Sequence, residues 1–73
     1  METHDMVRMA NQIAEFFKSY GEKEAVEGIA DHISKFWEPR MRRMYFAHIE
    51  AGGEGFSELV KKSAASVKRP KAA

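Results

Sequence analysis

Seventy-three residues without a cysteine make one small domain, near the lower size limit for a core that stands without disulfides or a metal. Disulfides, thiolate zinc sites and iron–sulfur ligation by this chain are thereby excluded. At 44% hydrophobic and 32% charged the chain is too apolar for a disordered segment, and its net charge of +1 conceals an acidic half (three Lys/Arg against seven Asp/Glu in residues 1–34) and a basic half (nine against four in residues 35–73).

Apolar spacing is helical almost throughout. Met6, Met9, Ala10, Ile13, Phe16, Phe17 and Tyr20 recur at three and four residues and predict a first helix over about residues 4–19. Gly21 supplies the left-handed residue that commonly ends a helix. Ser19 and Glu22 have the spacing of a capping box for the next helix, but Ser19 cannot serve both ends, and the glycine stop is preferred. A second helix over about residues 22–36 opens with Glu22 and Glu24, whose charge suits a helix N-terminus. Its stripe is Val26, Ile29, Ala30, Ile33, Phe36 and Trp37.

Pro39 disfavours helical geometry at Glu38 and is pre-set for the first turn of a new helix, so Glu38 is the cap of a third helix over about residues 39–51. Gly52-Gly53 stops it. A fourth helix over about residues 54–67 presents Phe56, Leu59, Val60, Ala64 and Val67 on one side, and residues 68–73 form a flexible basic tail. There is no period-2 alternation, repeat or low-complexity block. The expectation is an all-α, compact single domain of about four short helices, with residues 1–67 as its folded part.

The third helix has more apolar surface than a small domain requires. On a helical wheel Met44, His48, Met41, Tyr45, Ile49 and Phe46 cover an arc of about 200°, whereas a surface helix needs only about 100°. Arg42 falls inside that arc, and Arg40 and Arg43 take the remaining side. Either the helix is central, with Arg42 running out along its stem, or the Arg42–Phe46–Ile49 side is covered by another protein, since aromatics, Met and Arg are the types enriched at interface cores. Trp37 reads equally as a core residue or an interface anchor.

Catalytic signals are weak. His4, His32 and His48 lack the i, i+4 spacing of a helical metal pair, and His48 on an apolar side reads as a hydrogen-bonded core histidine. Gly52-Gly53-Glu54-Gly55 is neither a Walker loop nor a dinucleotide fingerprint. Arg40, Arg42 and Arg43 with Lys61, Lys62, Lys68, Arg69 and Lys71 could neutralise phosphates. However, Arg42 points away from the other two, and a sequence pI of about 8.1 falls short of a strongly basic domain. Residues 1–5 lack the basic-then-apolar build of a signal peptide, so a cytoplasmic protein is expected. From the residues alone, a helical interaction module stands ahead of a nucleic-acid-binding or self-associating one.

Three stretches, MANQIAEFF (Met9–Phe17), GIADHISKFWEPRMR (Gly28–Arg42) and AHIEAGGEGFSELV (Ala47–Val60), taken in that order resemble the delta subunit of soluble NAD-dependent formate dehydrogenases. The resemblance runs from about Met9 to Ala65. At Ser57-Glu58 the chain departs from the pattern, where a proline is expected before the Leu-Val pair. Enzymes of this family oxidise formate at a molybdenum or tungsten bis-molybdopterin guanine dinucleotide centre and pass electrons through iron–sulfur clusters to FMN and NAD. All of these cofactors sit in larger subunits. The resemblance therefore implies an accessory subunit that binds no cofactor or metal and has no catalytic residue. It would aid assembly, cofactor maturation or stability of the catalytic (alpha) subunit. Apart from the resemblance, the chain in isolation is open to pairing as a homodimer that hides the third helix in a self-interface. The residues expected to meet the partner are Phe36, Trp37, Pro39, Arg40, Met41, Arg42 and Phe46, with Gly52 and Gly53 allowing close approach. Arginine offers a pre-organised fork for an acidic surface.

Overall fold

The computed structural model describes residues 1–69. It contains four α-helices, α1 (Thr3–Phe17), α2 (Glu22–Phe36), α3 (Pro39–Glu50) and α4 (Glu58–Ser63), with short 3₁₀ turns at Lys18–Tyr20 and Ala64–Ser66 and no strand among the described residues. The all-α expectation holds.

Each helix boundary has a local cause. The α-helical part of α1 ends at Phe17, two residues early, and a 3₁₀ turn carries the chain to Gly21. Gly21 takes φ +94°, a region that favours glycine, and no side chain caps α2. Trp37 and Glu38 are extended, and Pro39 is the first residue of α3, as the proline rule requires. At the other end of α3, Gly52 N–H donates to Ile49 O at 3.1 Å and Gly53 N–H to His48 O at 2.8 Å. That pair of bonds is a Schellman stop, with both glycines at positive φ.

The fourth helix is shorter than expected. Residues 54–57 form a turn, because Gly55 at φ +88° cannot continue a right-handed helix and Phe56 N–H closes back on Gly53 O at 3.0 Å. Ser57 is the true cap, its Oγ accepting from Val60 N–H at 3.3 Å. The departure from the family pattern at Ser57-Glu58 is thus a working helix start. The fold also continues past residue 67. Val67 is buried, Lys68 N–H donates to Ser34 Oγ at 2.8 Å, and the Arg69 guanidinium lies 4.1 Å from the centre of the Phe46 ring. Of the basic tail read in the sequence, residues 70–73 lie outside the described residues.

The core sits where α2, α3 and α4 converge on α1. Met6, Ala10 and Ala14 supply the inner ridge of α1, and Ala25, Ile29, Ala30 and Ile33 that of α2. The alanines among them let the helix axes approach. Gly28 carries this furthest, since a Cβ there would stand 2.5 Å from Phe17 Cε1. Tyr45 is fully buried at the centre, ringed by Trp37, Phe46 and Phe56 at centroid distances of 6.3, 5.1 and 5.5 Å. Its hydroxyl donates toward Val60 O at 3.0 Å and lies 3.1 Å from Ser63 Oγ, which itself donates to Val60 O. A buried phenol needs such partners. Burial pushes the Tyr45 pKa up, with the Ser63 hydrogen bond partly opposing it.

Candidate docking surface

The wide apolar arc of α3 is covered largely from within the chain. Trp37 and Phe46, both 5% exposed, belong to the core, and Gly53 is buried beneath Lys61 and beside Phe56. These three residues do not stand on the surface as the expected contact set supposed. Trp37 turns inward because the chain is extended at the α2–α3 corner. Phe46 is roofed by Arg69, a residue beyond the reach of any helical wheel.

Arg42 is engaged as well. Its Nη1 donates to Ser34 O at 2.9 Å and to Trp37 O at 3.0 Å, closing carbonyls that the end of α2 leaves without intrahelical partners. Its Nε is buried with no hydrogen-bond partner among the described residues. The side chain runs inward along the corner to tie two helices together, and its fork is not open to an acidic surface. Met41 is half-buried.

Three residues of the expected set remain open at the α2–α3 corner or near it: Phe36 at 72% exposure, Pro39 and Arg40. Gly52 is also exposed, but lies at the far end of α3. Arg43, one helical turn from Arg40, shares its side of α3. Neither arginine takes part in an ion pair among the described residues. The other cations are spread and largely occupied: Lys61 reaches Glu58 at 3.8 Å, Lys62 reaches Glu22 at 3.0 Å, and Arg69 covers Phe46. No single basic stripe results. His48 is half-buried, with Nε2 2.6 Å from Glu54 O and its ring edge-on to Phe56, as a structural histidine should be. Among the described residues no group of three His, Asp or Glu is gathered for a metal ion, and no helix is long and apolar enough to cross a membrane.

Two further exposed aromatics escaped the sequence reading. Phe16 is 66% exposed and Tyr20 54%, although both fit the α1 stripe. The signal was present in two adjacent aromatic pairs, Phe16-Phe17 and Phe36-Trp37. Successive side chains diverge by about 100° on a helix, so Phe16 faces away when Phe17 enters the core. At the second pair the chain leaves the helix at Trp37, which turns inward while Phe36 stays outside. Phe17 takes the notch over Gly28 and Trp37 the core, leaving Phe16 and Phe36 outside.

The family model described as the NADH-dependent formate dehydrogenase delta subunit, FdsD, matches residues 5–64. The chain belongs to the FdsD family. The match runs from the first turn of α1 to the end of α4, so it takes in the α2–α3 corner and the Schellman stop of this FdsD-family chain. It leaves out residues 65–69, and with them Val67, Lys68 and Arg69. No curated protein and no solved structure matches.

Proposed function

We propose that the chain is a non-catalytic accessory subunit of a cytoplasmic NAD-dependent formate dehydrogenase. It docks on the catalytic (alpha) subunit and supports its assembly, cofactor maturation or stability. The observation that carries the proposal is the family match over residues 5–64. In this reading the bis-molybdopterin guanine dinucleotide with molybdenum or tungsten, the iron–sulfur clusters, FMN and the NAD site all belong to partner subunits. A chain without a cysteine is consistent with that division.

The docking surface proposed is the α2–α3 corner. Phe36 and Pro39 give an exposed apolar anchor, and Arg40 and Arg43 flank it with charge that nothing within the described chain neutralises. Its complement on the catalytic subunit is an apolar pocket with an acidic rim. Met41 and Arg42 support the corner from beneath. Gly52, at the opposite end of α3, stays outside this surface.

Co-expression of the larger subunits with and without this chain tests the reading. The expected result is co-purification of the chain with the catalytic subunit, and a loss of formate-dependent NAD reduction or of bound molybdenum or tungsten when it is omitted. A fully loaded, fully active and equally stable complex formed without it, from which the chain stays apart when added, would overturn the proposal.

A further inference from the structure

No described residue covers the groove between α1 and α2. It encloses about 430 Å³ and is lined by Met9, Ile13, Phe16 and Phe17 of α1 and by His32 and Trp37 of the α2 side. Exposed rings stand at both ends. Tyr20 packs 6.2 Å from Phe16 at one end, and Phe36 stacks 4.8 Å from His32 toward the other. Among the described residues that line it none is charged; Gln12, His32 and the indole N–H of Trp37 are its polar side-chain groups. The charges nearest it are paired locally on the surface, Glu15 with Lys18 and Asp31 with Lys35. Such a surface selects an uncharged, aromatic-rich cover.

We propose that a second copy of this chain covers it, two α1–α2 hairpins packing face to face about a two-fold axis through the groove. Three features of the molecule favour this occupant. The first is area: three exposed aromatics present on the order of 400 Å², and with the half-buried Met9, Ile13 and His32 around them the patch reaches about 600 Å² per copy, the lower end of a standard stable interface at about 1,200 Å² in total. Single chains seldom leave so large an apolar patch open. The second is shape. An axis across the middle of the groove brings the Tyr20–Phe16 end of one copy over the Phe36–His32 end of the other, so each copy's ridges enter its partner's groove, as an isologous contact requires. Antiparallel hairpins paired in this way reproduce the packing of a four-helix bundle. The third is size, since a chain of 73 residues with no disulfide gains the support that small domains draw from oligomerisation. This pairing does not depend on the formate dehydrogenase role, although Phe36 belongs to both surfaces.

Sedimentation equilibrium of the purified full chain decides the matter. The wild type is expected at twice the 8.3 kDa chain mass. Phe16→Glu and Phe36→Glu should each weaken self-association by at least ~10-fold, because each places a charge in an apolar contact. Both positions are exposed, so helical circular dichroism should be unchanged and will report any variant that fails to fold. Arg40→Glu, outside the groove, should dimerise like wild type. A wild type that stays monomeric at all concentrations, or a dimer undiminished in both glutamate variants, would sink the proposal. Should the monomer's groove instead prove necessary for co-purifying a formate dehydrogenase subunit, through loss of capture by Phe16→Glu, the self-pairing is overturned and the groove passes to that partner.

Discussion

Arg42 Nη1 lies 3.0 Å from Trp37 O, so a side chain of α3 closes the end of α2. The same nitrogen reaches Ser34 O, and the corner between the two helices is held by one guanidinium. Arg42→Met keeps much of the stem's packing but leaves these carbonyls without their charged donor. The expected cost is about 1–3 kcal/mol of unfolding free energy, read as a lower urea midpoint at unchanged slope. A variant as stable as wild type that loses only its partner would return Arg42 to the docking surface.

Gly28 is where α1 and α2 come closest. In an open helix Gly→Ala stabilises by up to ~1 kcal/mol, but here the new methyl meets the Phe17 ring at 2.5 Å. Phe17 is part-buried against the core and has limited room to yield. Overpacking should outweigh propensity, and Gly28→Ala is expected to lower the thermal midpoint with a net cost of about 1–2 kcal/mol. An increase in the midpoint would mean that the ring swings aside freely.

Asn11 joins α1 to the turn that precedes α4. Its Nδ2 donates to Gly55 O at 2.8 Å and its Oδ1 accepts from Ser57 N–H at 2.9 Å, so one amide satisfies two backbone groups of an irregular segment. Asn11→Ala should expose the Ser57 amide to faster hydrogen exchange and cost roughly 1–2 kcal/mol, while the exchange of α2 amides slows or speeds only with global stability. Unchanged exchange at Ser57 would show that water replaces the clamp at no loss.

These contacts mark where the sequence stops being legible. The corner at Glu38-Pro39 and the stop at Gly52-Gly53 are written in backbone chemistry that acts over a few residues, and both came out as read. Asn11 acts on Gly55 across 44 positions, and nothing near Gly55 announces it. The start of α4 was therefore placed too early, although Ser57 carried the local signal. The α3 wheel located the apolar arc correctly but could not say what covered it. Phe46 is covered by Arg69, far along the chain, and the Arg42 side of the arc is closed by the end of α2 across the corner. Neither contact can be read from a wheel of α3 alone. Of the candidate surface, Phe36, Pro39 and Arg40 remain exposed. Phe16 and Tyr20 were hidden by a stripe that fits core and surface equally well until Gly28 selects Phe17.

The buried phenol of Tyr45 gives the fold a defined alkaline limit. Burial raises its pKa above the ordinary 10.0, so the folded chain keeps the proton at a pH where the unfolded chain has lost it. The unfolded state then binds fewer protons, and stability falls as pH rises. This contribution is complete below about pH 10 and is lost progressively from there toward the higher folded value. Tyr45→Phe removes the titration and also removes the hydroxyl that meets Val60 O and Ser63 Oγ. The variant should be less stable at pH 7 by about 0.5–1.5 kcal/mol, yet lose less stability than wild type between pH 9.5 and 11. Urea denaturation at matched pH values, with Tyr45 ionisation followed near 295 nm, checks both statements. Parallel pH curves for the two proteins would mean that Tyr45 titrates alike in the folded and unfolded states.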